Sequence, residues 1–391
     1  MNTAKYLGVL RLPGVLPAMV LMLLARIPTT ASGMTLTLHV VLALDKGYGA
    51  AGLVGTAGTI GITLGAPLMG RLTDRKGLRT VLVLSTATEG LFWFTAPALS
   101  YPVLLVTSLL TGLTVIPTMS IGRQVLTALV PAGERRTALA VDSMAVEVAY
   151  MAGPALGVLL TTSADSRTAL WTVGAAMVAS GIALYIVNPP VRGEDEEDVG
   201  VRPPRRDWLT PPVLGVLVTS CGGVLVLAGM EVAVVAALRE QGRIQWTGVL
   251  VVAMCLASMT GGFVYGGLVK APTPRALMAL LGLLAIPVGL ATGSLWGLAV
   301  ALIPTNMLAA PVIASTGEVI TRLTPASVRG EAMGLQGSAF TLGAAAGAPL
   351  AGFVIDHSSA GWGFAATGAV GAAIAAVCAL LDRREPAKVD A

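Results

Sequence analysis

Apolar residues fall in twelve blocks along this chain, each close to the length of a bilayer-crossing helix, and polar residues collect in the gaps. A span takes about 20 residues to cross about 30 Å of hydrocarbon. The first six blocks are Leu16–Leu38, Ala50–Gly70, Thr80–Ala98, Val103–Gly122, Thr137–Thr161 and Ala169–Val187. After a polar interval come Pro212–Ala236, Gly248–Leu268, Ala276–Gly293, Leu295–Val319, Ala332–Ile355 and Gly363–Leu381. The pattern predicts an all-α polytopic membrane protein of twelve transmembrane helices. The first block is full length and no Ala-x-Ala site follows it, so a cleavable signal is not expected.

Composition agrees. With 55% hydrophobic and 12% charged residues and a mean hydropathy of +0.80, the chain departs far from the roughly 25% charged soluble average. Its 391 residues are therefore not read as two or three soluble domains. Placing the N-terminus in the cytoplasm puts all but five of the 25 Lys and Arg on that side, Arg123, Arg136 and Arg329 included. Lys46, Arg167, Arg239 and Arg243 fall outside, and Arg26 lies within the first span. This positive-inside asymmetry predicts that both termini are cytoplasmic, and the net charge of +4 needs no nucleic acid to explain it.

The polar interval, residues 188–211, holds Glu194-Asp195-Glu196-Glu197-Asp198 and then Arg202-Pro203-Pro204-Arg205-Arg206. Such composition favours a solvated tether, and a partner-binding role for the acidic run is the other reading. It divides the chain into a six-helix bundle at 1–187, a cytoplasmic linker at 188–211 and a second six-helix bundle at 212–391. An internal repeat supports the division. Pro131-Ala132 is followed by Arg135, Ala138 and Gly153, and Pro325-Ala326 by Arg329, Ala332 and Gly347 at the same spacings.

Between the second and third spans the chain reads Gly70-Arg71-Leu72-Thr73-Asp74-Arg75-Lys76-Gly77-Leu78-Arg79. Gly70, Leu72, Asp74, Arg75, Gly77 and Arg79 match a pattern that resembles the signature loop of major facilitator superfamily transporters. Leu78 departs from it, because a second basic residue is usual there. A worn counterpart runs from Gly266 to Arg275, with Lys270 in the place of Asp74. The resemblance implies two bundles that rock about a substrate site near the bilayer midplane. It further implies that Asp74 meets the N-terminal end of the eleventh span, around Gly330 to Met333, where unpaired N–H groups favour an anion. Asp74 would then latch the bundles on the cytoplasmic side, with Arg75 and Arg79 anchoring the turn and Gly70 and Gly77 permitting backbone approach.

Charge inside a span is costly and must face protein or water. Arg26, Thr30, Gly33 and Thr37 form a stripe on one face of the first span, suited to lining an aqueous cavity; a structural ion pair and snorkelling are the competing roles for Arg26. Three acids can answer it: Glu147, on a stripe with Ser143, Tyr150 and Pro154 in the fifth span, Glu89 in the third and Glu231 in the seventh. Desolvation and neighbouring charge act on such a carboxylate in opposite senses, which is the chemistry of a proton carrier. Glu147 is the first choice for that role and Glu231 the second, while Asp142 and Glu318 are expected near the cytoplasmic face. Asn306 in the tenth span joins the cavity candidates.

Gly153-Pro154-Ala155-Leu156-Gly157 lies just beyond Glu147. It resembles, in part, the Gly-Pro antiporter motif of proton-driven exporters of the same superfamily, and Gly153, Pro154 and Gly157 are expected to kink the fifth span against a neighbour. The Arg-x-x-Gln-Gly element such exporters often carry in the fourth span is missing; Ser108-Leu109-Leu110-Thr111-Gly112 stands there.

Cys221, Cys255 and Cys378 all lie in apolar spans, His39 and His357 are isolated, and no P-loop occurs, so no disulfide framework, metal, cofactor or ATP site is expected. The expected function is secondary active transport by alternating access, with proton-coupled export of a small organic molecule first. Uptake or facilitated passage of a sugar or other small polar metabolite comes second, and a membrane-embedded enzyme or transporter-like sensor is the reading from another class. The expected setting is a monomer, multi-pass in a bacterial plasma membrane, with a small-molecule substrate, protons and lipid as partners.

Overall fold

The computed structural model describes residues 3–193, 203–268 and 270–383, and among them every regular element is helical. The first half contains α1 (Thr3–Arg11), α2 (Val15–Leu42), α3 (Tyr48–Lys76), α4 (Leu78–Thr95), α5 (Tyr101–Thr114), α6 (Thr118–Leu129), α7 (Arg135–Ser163) and α8 (Ser166–Val187). After the short α9 (Arg205–Trp208) come α10 (Pro211–Glu240), α11 (Thr247–Gly267), α12 (Pro274–Val288), α13 (Leu295–Asn306), α14 (Ala309–Leu323), α15 (Arg329–His357) and α16 (Ala360–Arg383). The acidic run Glu194 to Asp198 and Arg202 lie outside the described residues.

Eleven of the described helical segments are long and apolar enough to cross a membrane, α5 with α6 and α13 with α14 each counting as one. The third sequence block is helical too, as α4 and a following turn, but Arg79 and Glu89 lower its apolarity and it is not among the eleven. The fourth block does not end at Gly122. It breaks at Val115–Pro117 and resumes as α6 to Leu129, so Arg123 is a buried residue within the span and not part of a loop. Arg329 is likewise buried, at the start of α15.

Local sequence accounts for the breaks. Prolines open α5, α10 and α12 in the first turn, where the missing N–H costs nothing. Gly77 separates α3 from α4 with φ +80°, a conformation that excludes ordinary side chains. Asp165 caps α8, its carboxylate accepting from the Thr168 backbone N–H (2.8 Å), and that bond holds its carboxyl below the usual range.

Helices press together where glycine removes the side chain. A Cβ at Gly61 or Gly65 of α3 would strike the α5 backbone, at Gly343 or Gly347 of α15 that of α10, and at Gly282 of α12 that of α16. Apolar side chains face outward around the assembly; Leu290 is 91% exposed, Trp296 70% and Ile186 70%. Lipid is the environment that such a surface requires.

Two elements depart from a tether-and-spans description. The amphipathic α1 lies against α7, with Tyr6 stacked on Phe263 of α11 at 4.4 Å and its hydroxyl donating to the Phe263 carbonyl. The end of the linker is docked, with Trp208 buried against Val328, Ala332 and Met333.

Candidate functional site

The two halves of the chain meet along two antiparallel helix pairs, α3 with α15 and α7 with α11. Along the first, Ser338 Oγ donates to the Thr63 carbonyl (2.6 Å). Gly334 sits on the Ala66 backbone and Gly330 on Gly70. Beyond them Asp74 accepts from the Gly330 and Glu331 backbone N–H groups, 2.9 Å each. The carboxylate thus takes two donors that a helix N-terminus leaves free. Arg205 of the docked linker pairs with Glu331 (2.5 Å), and Arg192 donates to the Asp74 carbonyl (2.6 Å).

The second pair closes at the same end. Thr137 donates to the Gly266 carbonyl (2.7 Å). Arg136 holds Glu318 by two bonds of 3.1 and 3.2 Å and reaches the Leu268 carbonyl at 3.3 Å, and Tyr265 also donates to Glu318 (3.3 Å). Away from this end both pairs part. At the registers where contact would continue, a Cβ added at Gly52 or Gly55 of α3, Gly352 of α15 or Gly248 of α11 would meet no atom within 4 Å. A cavity of about 560 Å³ lies between α10 and α15 of the second half, lined by Glu231, Arg239, Glu240, Gly352 and Asp356 among others.

At the depth where the halves first touch lies a polar cluster. Arg26 Nη1 donates to Asp142 Oδ1 at 2.6 Å, and both side chains are almost wholly buried. Asp142 therefore answers Arg26, in place of Glu147, Glu89 or Glu231, and its side chain is buried about two turns into α7 from its start. The pairing runs between helices through α2 and α7, which a stripe drawn on either helix alone does not reveal. Arg123 on α6 donates to Gln336 Oε1 on α15 (2.9 Å) and lies over the Phe340 ring at 5.1 Å; Gln336 in turn donates to Thr316 on α14 (2.9 Å).

Glu147 stands across the interface. Its Oε1 accepts from Ser258 Oγ on α11 (2.7 Å), and Cys255 is a second hydrogen-bonding neighbour. Tyr150, 57% exposed, lies within electrostatic reach of Glu231, Glu147, Arg26 and Arg123. Glu147 and Glu231 also face each other electrostatically, so Arg26, Glu147, Tyr150 and Glu231 share one region.

Other candidates have local duties. Glu89 accepts from the Ile116 backbone N–H (2.8 Å) at the α5–α6 break. Thr30 donates to the Ala149 carbonyl (2.8 Å), Asn306 donates to Leu302 of its own helix (2.9 Å), and Arg26 has no exposed surface. Gly33 is exposed and Thr37 half-buried. Gly153 and Gly157 seat α7 on Thr30, Ala31 and Thr35 of α2, and Pro154 lies between them inside a continuous helix. Arg79 lies over Tyr185 at 5.3 Å and Arg75 is exposed. His39 is buried beside Ser166 (3.0 Å). Among the described residues no group of three or more His, Cys, Asp or Glu is placed to hold a metal ion.

A multi-pass helical protein whose halves meet at one end and part at the other, around a buried polar cluster, has the architecture of a membrane transporter. The sequence profile of the Major Facilitator Superfamily matches residues 18–303 and 243–391, and the chain belongs to that family. It is a transporter of small molecules residing in a lipid bilayer, and not an enzyme. No curated relative matches the sequence. Among solved structures, a bacterial homologue of the iron transporter ferroportin in the outward-facing state superimposes with a TM-score of 0.74 at 14% identity, over 95% of this chain and 99% of that one. The proton:xylose symporter XylE gives 0.70 at 13%, over 96% and 95%. The human organic anion transporter MFSD10 (TETRAN) gives 0.66 at 18%, over 96% and 98%. At these identities the likeness is one of fold.

Proposed function

We propose that the protein is a proton-coupled secondary transporter that exports a small organic molecule by alternating access, and that the conformation described is its outward-facing state. The observation that carries this reading is Glu147, an intramembrane carboxylate on the contact between halves, hydrogen-bonded to Ser258 and within electrostatic reach of Glu231. An ionisable group in that position takes a proton from the open side while the latched end is shut. Separation of α7 from α11 then gives the proton a path to the other side. Glu147 and Glu231 are the proton-carrying and substrate-facing groups, Gly33, Thr37 and Tyr150 face the cavity, Arg26, Thr30 and Asn306 brace its walls from behind, and Asp74 with Gly70, Arg75, Gly77 and Arg79 forms the latch. Gly153, Pro154 and Gly157 shape α7 against α2.

In this reading α4 completes twelve spans, arranged as six-helix bundles at 1–187 and 212–391 joined by the linker. The latched end, both termini and the linker are cytoplasmic, and the protein works as a monomer in a bacterial plasma membrane. The test uses purified protein in liposomes with a pH-sensitive dye inside and a compound panel chosen by thermal shift, since ligands stabilise the state they bind. Substrate-dependent proton movement is expected, abolished by Glu147→Gln with substrate binding retained. Unaltered proton-coupled flux in that variant removes Glu147 from the mechanism, and co-directional movement of proton and substrate replaces export by uptake.

A further inference from the structure

Two spans break in mid-course, and each break leaves a backbone N–H without an acceptor in its own helix. At Val115–Pro117 the orphan is Ile116, taken by Glu89 at 2.8 Å. Between α13 and α14 it is Ala310: Pro311 has no N–H, Val312 already donates to the Leu308 carbonyl (3.0 Å), and Ala310 donates to Ser258 Oγ (3.1 Å). Ile116 and Ala310 are related by the same displacement as Pro131 and Pro325. Equivalent donors in the two halves are thus satisfied differently. A carboxylate caps the first directly; a hydroxyl caps the second and passes its own hydrogen to Glu147 Oε1 at 2.7 Å.

We propose that Ser258 is a positioning residue that transmits the charge state of Glu147 to the α13–α14 break, so that neutralising Glu147 releases the Ala310 amide and loosens the hinge. A serine hydroxyl has one hydrogen, and a carboxylate is only an acceptor. While Glu147 is charged, Ser258 must donate to it, and a hydroxyl polarised in this way is a better acceptor for Ala310. A protonated Glu147 carries its own O–H. That hydrogen turns towards Ser258 Oγ, takes one of its two lone pairs and frees the Ser258 hydrogen from Glu147, so the hydroxyl rotates and the lone pair that faces Ala310 is no longer held in line or polarised by a charge. The groups beside Glu147 come from several elements: Ser258 and Cys255 from α11, Glu231 from α10 and Tyr150 from its own helix, with Arg26 and Arg123 acting in turn on Tyr150. Glu147 belongs to the first half and Ser258 to the second, so the relay exists only while the halves touch at this depth. Its consequence is that proton binding weakens the second-half hinge from the first half, before the halves separate.

The inference rests on the reading of Glu147 as a proton site, but its test needs no substrate. Hydrogen–deuterium exchange at Ala310 is measured at one pH on the full chain in lipid nanodiscs, for the wild type, Glu147→Gln, Ser258→Ala, Ser258→Thr and the double variant Glu147→Gln/Ser258→Ala. Glutamine stands for the neutral carboxyl. Glu147→Gln and Ser258→Ala are each expected to speed exchange roughly fivefold, as loss of one hydrogen bond does. The double variant should add nothing further, and Ser258→Thr should remain at the wild-type rate. If Ser258→Ala speeds exchange while Glu147→Gln leaves it unchanged, Ser258 is a static cap and the relay is overturned; additive effects in the double variant overturn it equally. Absence of proton flux in liposomes together with the expected exchange pattern would instead defeat the functional reading and leave the relay standing.

Discussion

Arg26 and Asp142 form a contact in which both charges are removed from water, so the geometry of a single bond of 2.6 Å decides whether the pair stabilises or costs. Arg26 Nε and Nη2 and Asp142 Oδ2 have no hydrogen-bond partner among the described residues, which makes the pair incompletely compensated. Truncating one partner leaves the other charge buried and alone. Asp142→Ala is therefore expected to destabilise the protein by about 3–5 kcal/mol, and Arg26→Met combined with Asp142→Leu to recover most of that loss. Apparent melting temperatures in detergent check the order, and a single variant that melts with the wild type would show that the pair contributes nothing. At this scale the sequence was partly legible. That Arg26 needed an acid followed from its depth alone. Which acid did not, because Asp142 lies near the start of the fifth span in sequence, and its burial comes from the long interior reach of α7 and α6, whose end the hydropathy pattern sets too early at Gly122.

At the scale of elements, the turn at Gly77 and the start of α15 act as one unit. Gly77 frees α3 to end and α4 to begin in a new direction, which leaves the last turn of α3 lying across the first turn of α15. Gly70 and Gly330 remove the side chains that would hold those turns apart. Asp74 then fits two amides at once. An amide in its place keeps one acceptor and loses the charge, so Asp74→Asn is expected to shift the population towards the unlatched state about tenfold or more. Spin labels at Lys76→Cys and Arg322→Cys, with Cys221, Cys255 and Cys378 replaced, read the separation of that end; an unchanged distance distribution would remove Asp74 from the latch. The placement of this carboxylate on α15 was implied by the resemblance of the loop to the superfamily's signature and not by local chemistry, since Gly330 lies 256 residues from Asp74. The docked α9 and the α1 contact with α11 were not legible. Both depend on a distant surface for Trp208 and Tyr6 to bury against, and neither the polar, proline-rich linker nor the nine residues of α1 give a hint of one.

Over the whole molecule the closed end is held at two separate places, and the repeat explains both their similarity and their difference. Gly330 at the start of α15 corresponds to Arg136 at the start of α7 by the displacement that relates Pro131 to Pro325. The first site gives backbone amides to Asp74. Lys270 occupies the place of Asp74 in the second half, so α7 receives no anion from that turn, and Arg136 reaches Glu318 and the Leu268 carbonyl instead. The sequence showed the asymmetry but not its replacement, since Glu318 and Arg136 are 182 residues apart and share no motif. The two sites have no residue in common among these contacts, and groups without shared partners act nearly independently. If both hold the same end shut, their free energies add and their effects on the population multiply. Arg136→Ala is expected to unlatch the end to an extent comparable with Asp74→Asn in the same spin-label measurement, and the double variant to shift the ratio of unlatched to latched molecules by about the product of the single shifts. A double variant no more open than Asp74→Asn alone would show that the Arg136–Glu318 contact follows closure without contributing to it.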